Sequence, residues 1–66
     1  MNTRSVNDQV PKQQVYYAVS RSGQPGLFTH GYMVWPLYHG EDQRFLSLTQ
    51  AEQAAYCRGL GFLLRE

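Results

Sequence analysis

Few side chains in this sequence carry the chemistry of an active site. The single cysteine, Cys57, lies in the second half of a predicted helix, where the helix dipole does not stabilise a thiolate. His30 and His39 each stand alone beside aromatic residues, and their spacing with Cys57 matches no usual zinc site. Glu41 and Asp42 are adjacent, so on an extended chain their carboxylates point in opposite directions. The sequence therefore predicts no enzyme, no metal site and no cofactor.

The composition indicates one small domain with little net charge. The chain has 66 residues and a formal net charge of +1, and its basic residues are scattered. Proteins that hold duplex phosphates usually show a clustered basic face. A lone cysteine excludes an internal disulfide and suits a reducing compartment. Because no apolar run reaches the about 20 residues of a membrane helix, and the N-terminus lacks the apolar stretch of a signal peptide, we expect a soluble, cytoplasmic protein.

The N-terminal residues differ in composition from the rest of the chain. Residues 1–14 are rich in Asn, Gln and other polar side chains and show no apolar periodicity. This pattern predicts a flexible tail before a single compact αβ domain at residues 15–66. The alternative is an arm that becomes ordered on a partner.

Two strands are predicted in the first half of the domain. "VYYAVS", residues 15–20, alternates with the period of a strand, and "RSGQPG" after it favours a tight turn. The second strand begins near Leu27 and pairs antiparallel with the first. A glycine at position 31 predicts a bulge or a bend that divides this strand into Leu27–His30 and Tyr32–Trp35.

The second half predicts a third strand, a helix and a final edge strand. "RFLSL" has the pattern of a short strand, and Thr49 with Glu52 forms the capping-box pattern of a helix start. The helix runs from about Gln50 to Arg58, with Gly59 as its left-handed C-terminal cap. "GFLLRE" then returns as an edge strand.

These elements predict an α+β fold with the order β-β-β-α-β. A small antiparallel sheet of three to four strands carries one helix on one face. At 100° per residue the helix turns Leu48, Ala51, Ala54 and Ala55 towards the sheet, with Gln50 and Gln53 mostly pointing away.

The aromatic residues are too many for one such helix to cover. The chain has nine of them, and a single helix covers one face of a sheet. Alternation along "YMVWPLY" leaves one of two sets uncovered: Met33, Trp35 and Leu37, or Tyr32, Val34 and Pro36. Either the tail, a loop or a second copy covers that face, or the face binds a partner.

Part of the chain resembles the small N-terminal hybrid-binding domain of eukaryotic-type ribonuclease H, also found in a plant-virus inclusion protein. The resemblance lies in "YYAVSRSGQPGLF" and "RFLSLTQAEQAAY", which together cover less than half of the protein. It implies that Tyr17, Gly26 and Phe28 hold an RNA–DNA hybrid. The sequence departs from that family at "YMVWPLY", where the family has a helix, and the family is usually more basic.

In size and composition the chain is also similar to the small accessory proteins of bacteriophages and mobile elements, of which anti-CRISPR proteins are the best known. No motif carries this second resemblance. It implies a non-enzymatic inhibitor, monomeric or homodimeric, that binds a protein partner such as a CRISPR–Cas effector subunit and acts by steric occlusion. The partner-binding residues we predict are Tyr32, Trp35 and Tyr38 as anchors, with Arg21 and Arg44 at the rim. The alternative function is a small module that binds an RNA–DNA hybrid or single-stranded nucleic acid, with Tyr17 and Phe28 as stacking platforms.

Overall fold

Four strands and two helices make up residues 13–65, the part of the chain that a computed structural model describes. In chain order they are β1 (Gln13–Val19), β2 (Pro25–Thr29), β3 (Tyr32–Pro36), α1 (Glu41–Ser47), α2 (Gln50–Gly59) and β4 (Phe62–Leu64). The predicted α+β class is confirmed, although there are two helices where we predicted one. Of the predicted tail, residues 1–12 lie outside the described residues, whereas the last two residues of it, Gln13 and Gln14, belong to β1.

The strands form one mixed sheet in the order β3-β2-β1-β4. β1 pairs antiparallel with β2, with Tyr16 opposite Phe28 and Tyr17 opposite Leu27, so the predicted hairpin is confirmed. β4 is an edge strand, as predicted, but it pairs parallel to β1. The parallel pairing arises because the chain leaves β3 at one edge and the two helices carry it back to the starting end of β1.

A two-residue turn separates β2 from β3. His30 and Gly31 have φ values of 51° and 82°, and a type I′ turn requires positive φ at both central positions. The predicted division of the segment at position 31 is therefore confirmed, since β2 ends at Thr29 and β3 begins at Tyr32, but the dividing feature is a hairpin turn and not a bulge or bend within one strand. The bulge lies further along β3: Phe28 pairs with Met33 and Leu27 pairs with Trp35, which leaves Val34 as the extra residue.

The segment "RFLSL" lies largely in helix α1, so the predicted third strand at this position was wrong. Gly40, with a φ of 81°, turns the chain into the helix. Glu41 and Asp42 then occupy the first turn and Arg44 the last, which is the charge order that the helix dipole favours. The Glu41 carboxylate also accepts a hydrogen bond of 2.9 Å from the backbone N–H of Tyr38.

Helix α2 begins as predicted and ends differently. Thr49 and Glu52 form the full capping box, with each side chain accepting from the other residue's backbone N–H. Gly59 is still helical, and it is Gly61, with a φ of 92°, that adopts the left-handed conformation. The backbone N–H of Gly61 donates to the carbonyl of Arg58 at 3.0 Å. Our assignment of the cap to Gly59 was therefore wrong by two residues.

The core lies between the sheet and the two helices. Its fully or almost fully buried side chains are Val15, Leu27, Leu37, Phe45 and Cys57. Helix α2 contributes Cys57 with Tyr56 and Leu60 beside it, whereas Ala51 and Ala55 are exposed. Leu48 and Ala54 are half-buried, so the predicted inner face was wrong at Ala51 and Ala55.

Gln53, which we predicted to point away, is half-buried. Its Nε2 donates to the backbone carbonyl of Phe45 at 2.9 Å. The second helix explains the difference: α2 packs against α1 as well as the sheet, and this rotates its buried side away from the alanines.

Candidate functional site

The two faces of the sheet have different coverings. Cross-strand partners point to the same face, so the register divides the side chains without ambiguity. Tyr17 and Leu27 share the face on which both helices pack, which we call the core face. The opposite face, which we call the open face, carries these side chains: Tyr16, Ala18, Phe28, Met33 and Leu63.

Most of the open face is covered by its own side chains. The rings of Tyr16 and Phe28 stack with centroids 6.2 Å apart, and Phe28 is only 9% exposed. The Arg65 guanidinium lies over the Tyr16 ring, 4.3 Å from its centroid, in a cation–π contact. Leu63 is the large apolar side chain of this face that stays exposed. The open face is therefore not the broad aromatic surface that we expected from one helix and nine rings.

The bulge in β3 decides where Trp35 points. Because Val34 is the extra residue, Trp35 faces the same side as Leu27, which is the core face. The Trp35 ring contacts Phe62 edge-on with centroids 6.5 Å apart, and Trp35 remains 38% exposed. Strict alternation predicted Met33 and Trp35 on one side, and that prediction was wrong.

Two further aromatic side chains are exposed along the same edge of the sheet. Tyr32, at the start of β3, is 75% exposed, and Tyr38, just after its end, is 52% exposed. With Trp35 they form a row that we call the aromatic rim. Tyr32 and Tyr38 lie at the two ends of β3, separated by the bulge at Val34.

The two predicted arginines lie at the Tyr38 end of this row. Arg21 is in the exposed β1–β2 turn, and Gln24 of that turn donates from Nε2 to the carbonyl of Leu37 at 2.9 Å. Arg44 is exposed on α1, which begins directly after the turn that follows Tyr38. The structure thus places Arg21, Tyr38 and Arg44 towards one end of the sheet and Tyr32 at the other. They do not form one compact site.

The residues with catalytic side chains are not brought together. His30 and His39 are exposed and have positive φ values of 51° and 55°, each followed by a glycine, so both serve as turn residues. His30 lies in the β2–β3 turn, His39 follows β3, and Cys57 is buried within α2. Residues 13–65 contain no cluster of three or more potential metal ligands.

Cys57 is placed for packing. Burial raises the pKa of its thiol above the ordinary 9.0, which disfavours the nucleophilic thiolate. Burial, helped by the negative charge of Glu41, also raises the pKa of the neighbouring Tyr56 above 10.0. Both groups are therefore held in the neutral form in the folded chain.

We expect Cys57 to react with a disulfide reagent such as DTNB at least about tenfold more slowly in the folded protein than in urea. Since the pKa of Cys57 is higher in the folded than in the unfolded chain, its stabilising contribution is complete below pH 9.0 and is lost as the pH rises through the folded value. Urea unfolding should therefore require less denaturant above this pH. Equal thiol reactivity in folded and unfolded protein would contradict the buried position.

The residues implied by the resemblance to the hybrid-binding domain do not share a surface. Tyr17 points to the core face and stacks on Phe45 with centroids 6.1 Å apart. Phe28 points to the open face and is almost buried. Two rings on opposite faces of a sheet do not form one stacking platform, so this geometry gives the nucleic-acid alternative no support.

Comparison with known proteins adds no relative. No protein-family model, no curated protein and no solved structure matches the chain. Neither helix in residues 13–65 has the length and apolar content that crossing a membrane requires.

Two features of the site were missed from the sequence. Gly26 is the residue that could have indicated the bulge at Val34, because a Cβ at position 26 would lie 2.7 Å from the Trp35 carbonyl oxygen. A glycine within a strand marks such close approaches. The second feature is the repeated His-Gly pair, which supplies the positive φ values that end β2 and precede α1.

Proposed function

We propose that this chain is a non-enzymatic module that binds a protein partner through the aromatic rim. The observation that carries the proposal is the exposure of Tyr32 and Tyr38, together with Trp35, which packs on Phe62 but keeps 38% of its surface exposed. Exposed Tyr and Trp side chains bury a large area on binding at a low cost in conformational entropy. Arg21 and Arg44 provide polar contacts at the rim.

The rim binds by its side chains and not by adding a strand. The bulge at Val34 interrupts the regular edge of β3, and Pro36 has no N–H to donate. A partner is therefore held by aromatic contacts, and the bound module blocks the partner surface beneath it. Inhibition of a CRISPR–Cas effector by such occlusion is the specific form that the small size and near-neutral composition favour.

Photo-crosslinking tests the rim directly. With p-benzoylphenylalanine in place of Tyr32 or Tyr38, we expect both variants to cross-link to the same protein in the host cell, and a third variant carrying it in place of Leu46 not to do so. Leu46 is the matched control because it is 53% exposed and lies on α1. Tyr32→Ala with Tyr38→Ala should weaken binding of that protein by about tenfold or more without loss of stability. Cross-links to nucleic acid, or binding that weakens steeply with salt, would favour the alternative function.

A further inference from the structure

An open cleft lies between helix α2 and the outer edge of β4, which is the edge strand opposite β3 in the sheet. One part of it, about 580 Å³, is lined by Gln14, Ala54, Arg58, Leu63, Leu64 and Arg65. A second part of about 350 Å³ shares Ala54 and Leu64 and extends along the helix to Gln50 and Ala51. The alanines that we predicted in the core thus form one wall of a continuous cleft.

The backbone edge of β4 lies in this cleft. In parallel pairing alternate residues bond to the neighbouring strand, and the N–H of Arg65 donates to the carbonyl of Val15 at 2.8 Å. The backbone groups of Leu63 and Arg65 therefore face β1, while those of Phe62 and Leu64 face outward. Within the described chain β4 pairs with β1 alone. Two N–H groups and two carbonyls of β4 consequently point outward along this edge: those of Leu64, which lines the cleft, and those of Phe62, which precedes the lining residues along the strand.

The charge of the cleft is positive. Arg58 and Arg65 are both exposed, and none of the described residues that line the cleft is acidic. Arg65 is held in place by its contact with the Tyr16 ring, and such a contact leaves guanidinium N–H groups to bind a carboxylate.

We propose that this cleft binds an extended, acidic peptide segment of a partner protein, which adds to the sheet as a fifth strand beside β4. Main-chain hydrogen bonds to Phe62 and Leu64 hold the segment, as in other proteins that bind peptides at a sheet edge. The small side chains of Ala51 and Ala54 admit the peptide close to the helix, and Arg58 and Arg65 pair with its carboxylates. The cleft shares no lining residue with the aromatic rim, although the Trp35 ring contacts Phe62 of β4 on the core face.

Synthetic peptides test the proposal on the full chain. The probe is a fluorescent peptide of about eight residues that alternates Val and Glu, long enough to span the strand edge. We expect it to bind, and the corresponding Val-Lys peptide not to bind. Two isomers of the Val-Glu peptide carry methyl groups on every second backbone nitrogen. In one isomer the methylated nitrogens lie along one edge of the extended peptide, and in the other isomer they lie along the opposite edge. One isomer should lose affinity by about tenfold or more and the other should not, because only one edge of an added strand pairs with β4.

Variants locate the binding. Arg58→Glu with Arg65→Glu should weaken binding of the Val-Glu peptide by about tenfold or more, since two charge pairs are reversed. The control is Gln43→Glu, which adds a negative charge at an exposed position of α1 and should leave the affinity unchanged. Ala51→Phe, a change at an exposed position, should block the cleft without unfolding the chain. Circular dichroism checks that each variant is folded.

Each outcome decides the proposal. Slower hydrogen exchange of the Phe62 and Leu64 amides in the presence of the Val-Glu peptide supports it. Absence of binding by that peptide, equal affinities of the two methylated isomers, or equally tight binding of an oligothymidylate would overturn it. None of these results bears on cross-linking from positions 32 and 38, so failure of this proposal is distinguishable from failure of the proposed function.

Discussion

Phe45→Ala is expected to unfold the domain at room temperature. Phe45 is 2% exposed and is the residue of α1 that enters the core, where its ring lies 6.1 Å from that of Tyr17 and 5.4 Å from that of Tyr56. Truncating a buried phenylalanine costs about 3–5 kcal/mol. A domain of this length has only a few kcal/mol of stability in total, so the loss of one central ring exceeds what the remaining core provides.

The next residue is the control for this experiment. Leu46 is 53% exposed, and Leu46→Ala should change the free energy of unfolding by less than about 0.5 kcal/mol. Urea titrations followed by far-ultraviolet circular dichroism measure both variants against the parent chain. If Phe45→Ala keeps the parent's midpoint, α1 does not hold the core as the structure describes.

The parts of the fold that were predictable are those with a local chemical cause. The hairpin of β1 and β2 follows from aromatic alternation around a Gly-rich turn, and the capping box at Thr49 and Glu52 is a reciprocal pair of hydrogen bonds within four residues. The final strand is predictable as an edge strand, because it is short and comes after the helix. None of these predictions requires knowledge of which helices and strands pack against each other.

The predictions that failed concern tertiary contacts. A five-residue apolar pattern such as "RFLSL" fits a strand or a short helix equally well, and the decision is made by Gly40 turning the chain and by Phe45 reaching the core. The orientation of α2 failed for the same reason. Helical periodicity permitted an alanine face, but packing against two neighbours selected Tyr56, Cys57 and Leu60.

The candidate site shows the same division. Residue type identified Tyr32, Trp35 and Tyr38 as exposed aromatics, because a small sheet has limited core to receive them. The faces to which these side chains point depend on one extra residue in β3. A pattern that alternates every two residues does not reveal such an insertion. The cleft beside β4 was missed because its alanines were assigned to the core. The spacing of Ala51, Ala54 and Arg58, which places two small residues and a cation on one helix face, was the available signal.

Gly26→Ala is expected to destabilise the fold by about 1–3 kcal/mol, the usual cost of forcing extra volume into a packed site. A Cβ at position 26 would lie 2.7 Å from the Trp35 carbonyl oxygen and 3.1 Å from Met33 Cε. The methionine end is flexible and moves aside at little cost. The carbonyl belongs to the bulged backbone of an edge strand, so relieving the contact displaces β3 from β2, together with the aromatic rim.

A control variant and a double variant show which contact causes the loss of stability in Gly26→Ala. Gly59→Ala is the control, because nothing lies within 4 Å of its added Cβ and a helical glycine replaced by alanine should gain about 0.5–1 kcal/mol. In the background of Met33→Ala, the Gly26→Ala penalty should persist, since the carbonyl is still in place. Thermal and urea unfolding of the parent chain, the three single variants and the Met33→Ala, Gly26→Ala double variant measure these differences. If removing Met33 abolished the penalty, the clash would be with the side chain, and the close backbone approach at the bulge would not be what requires glycine at position 26.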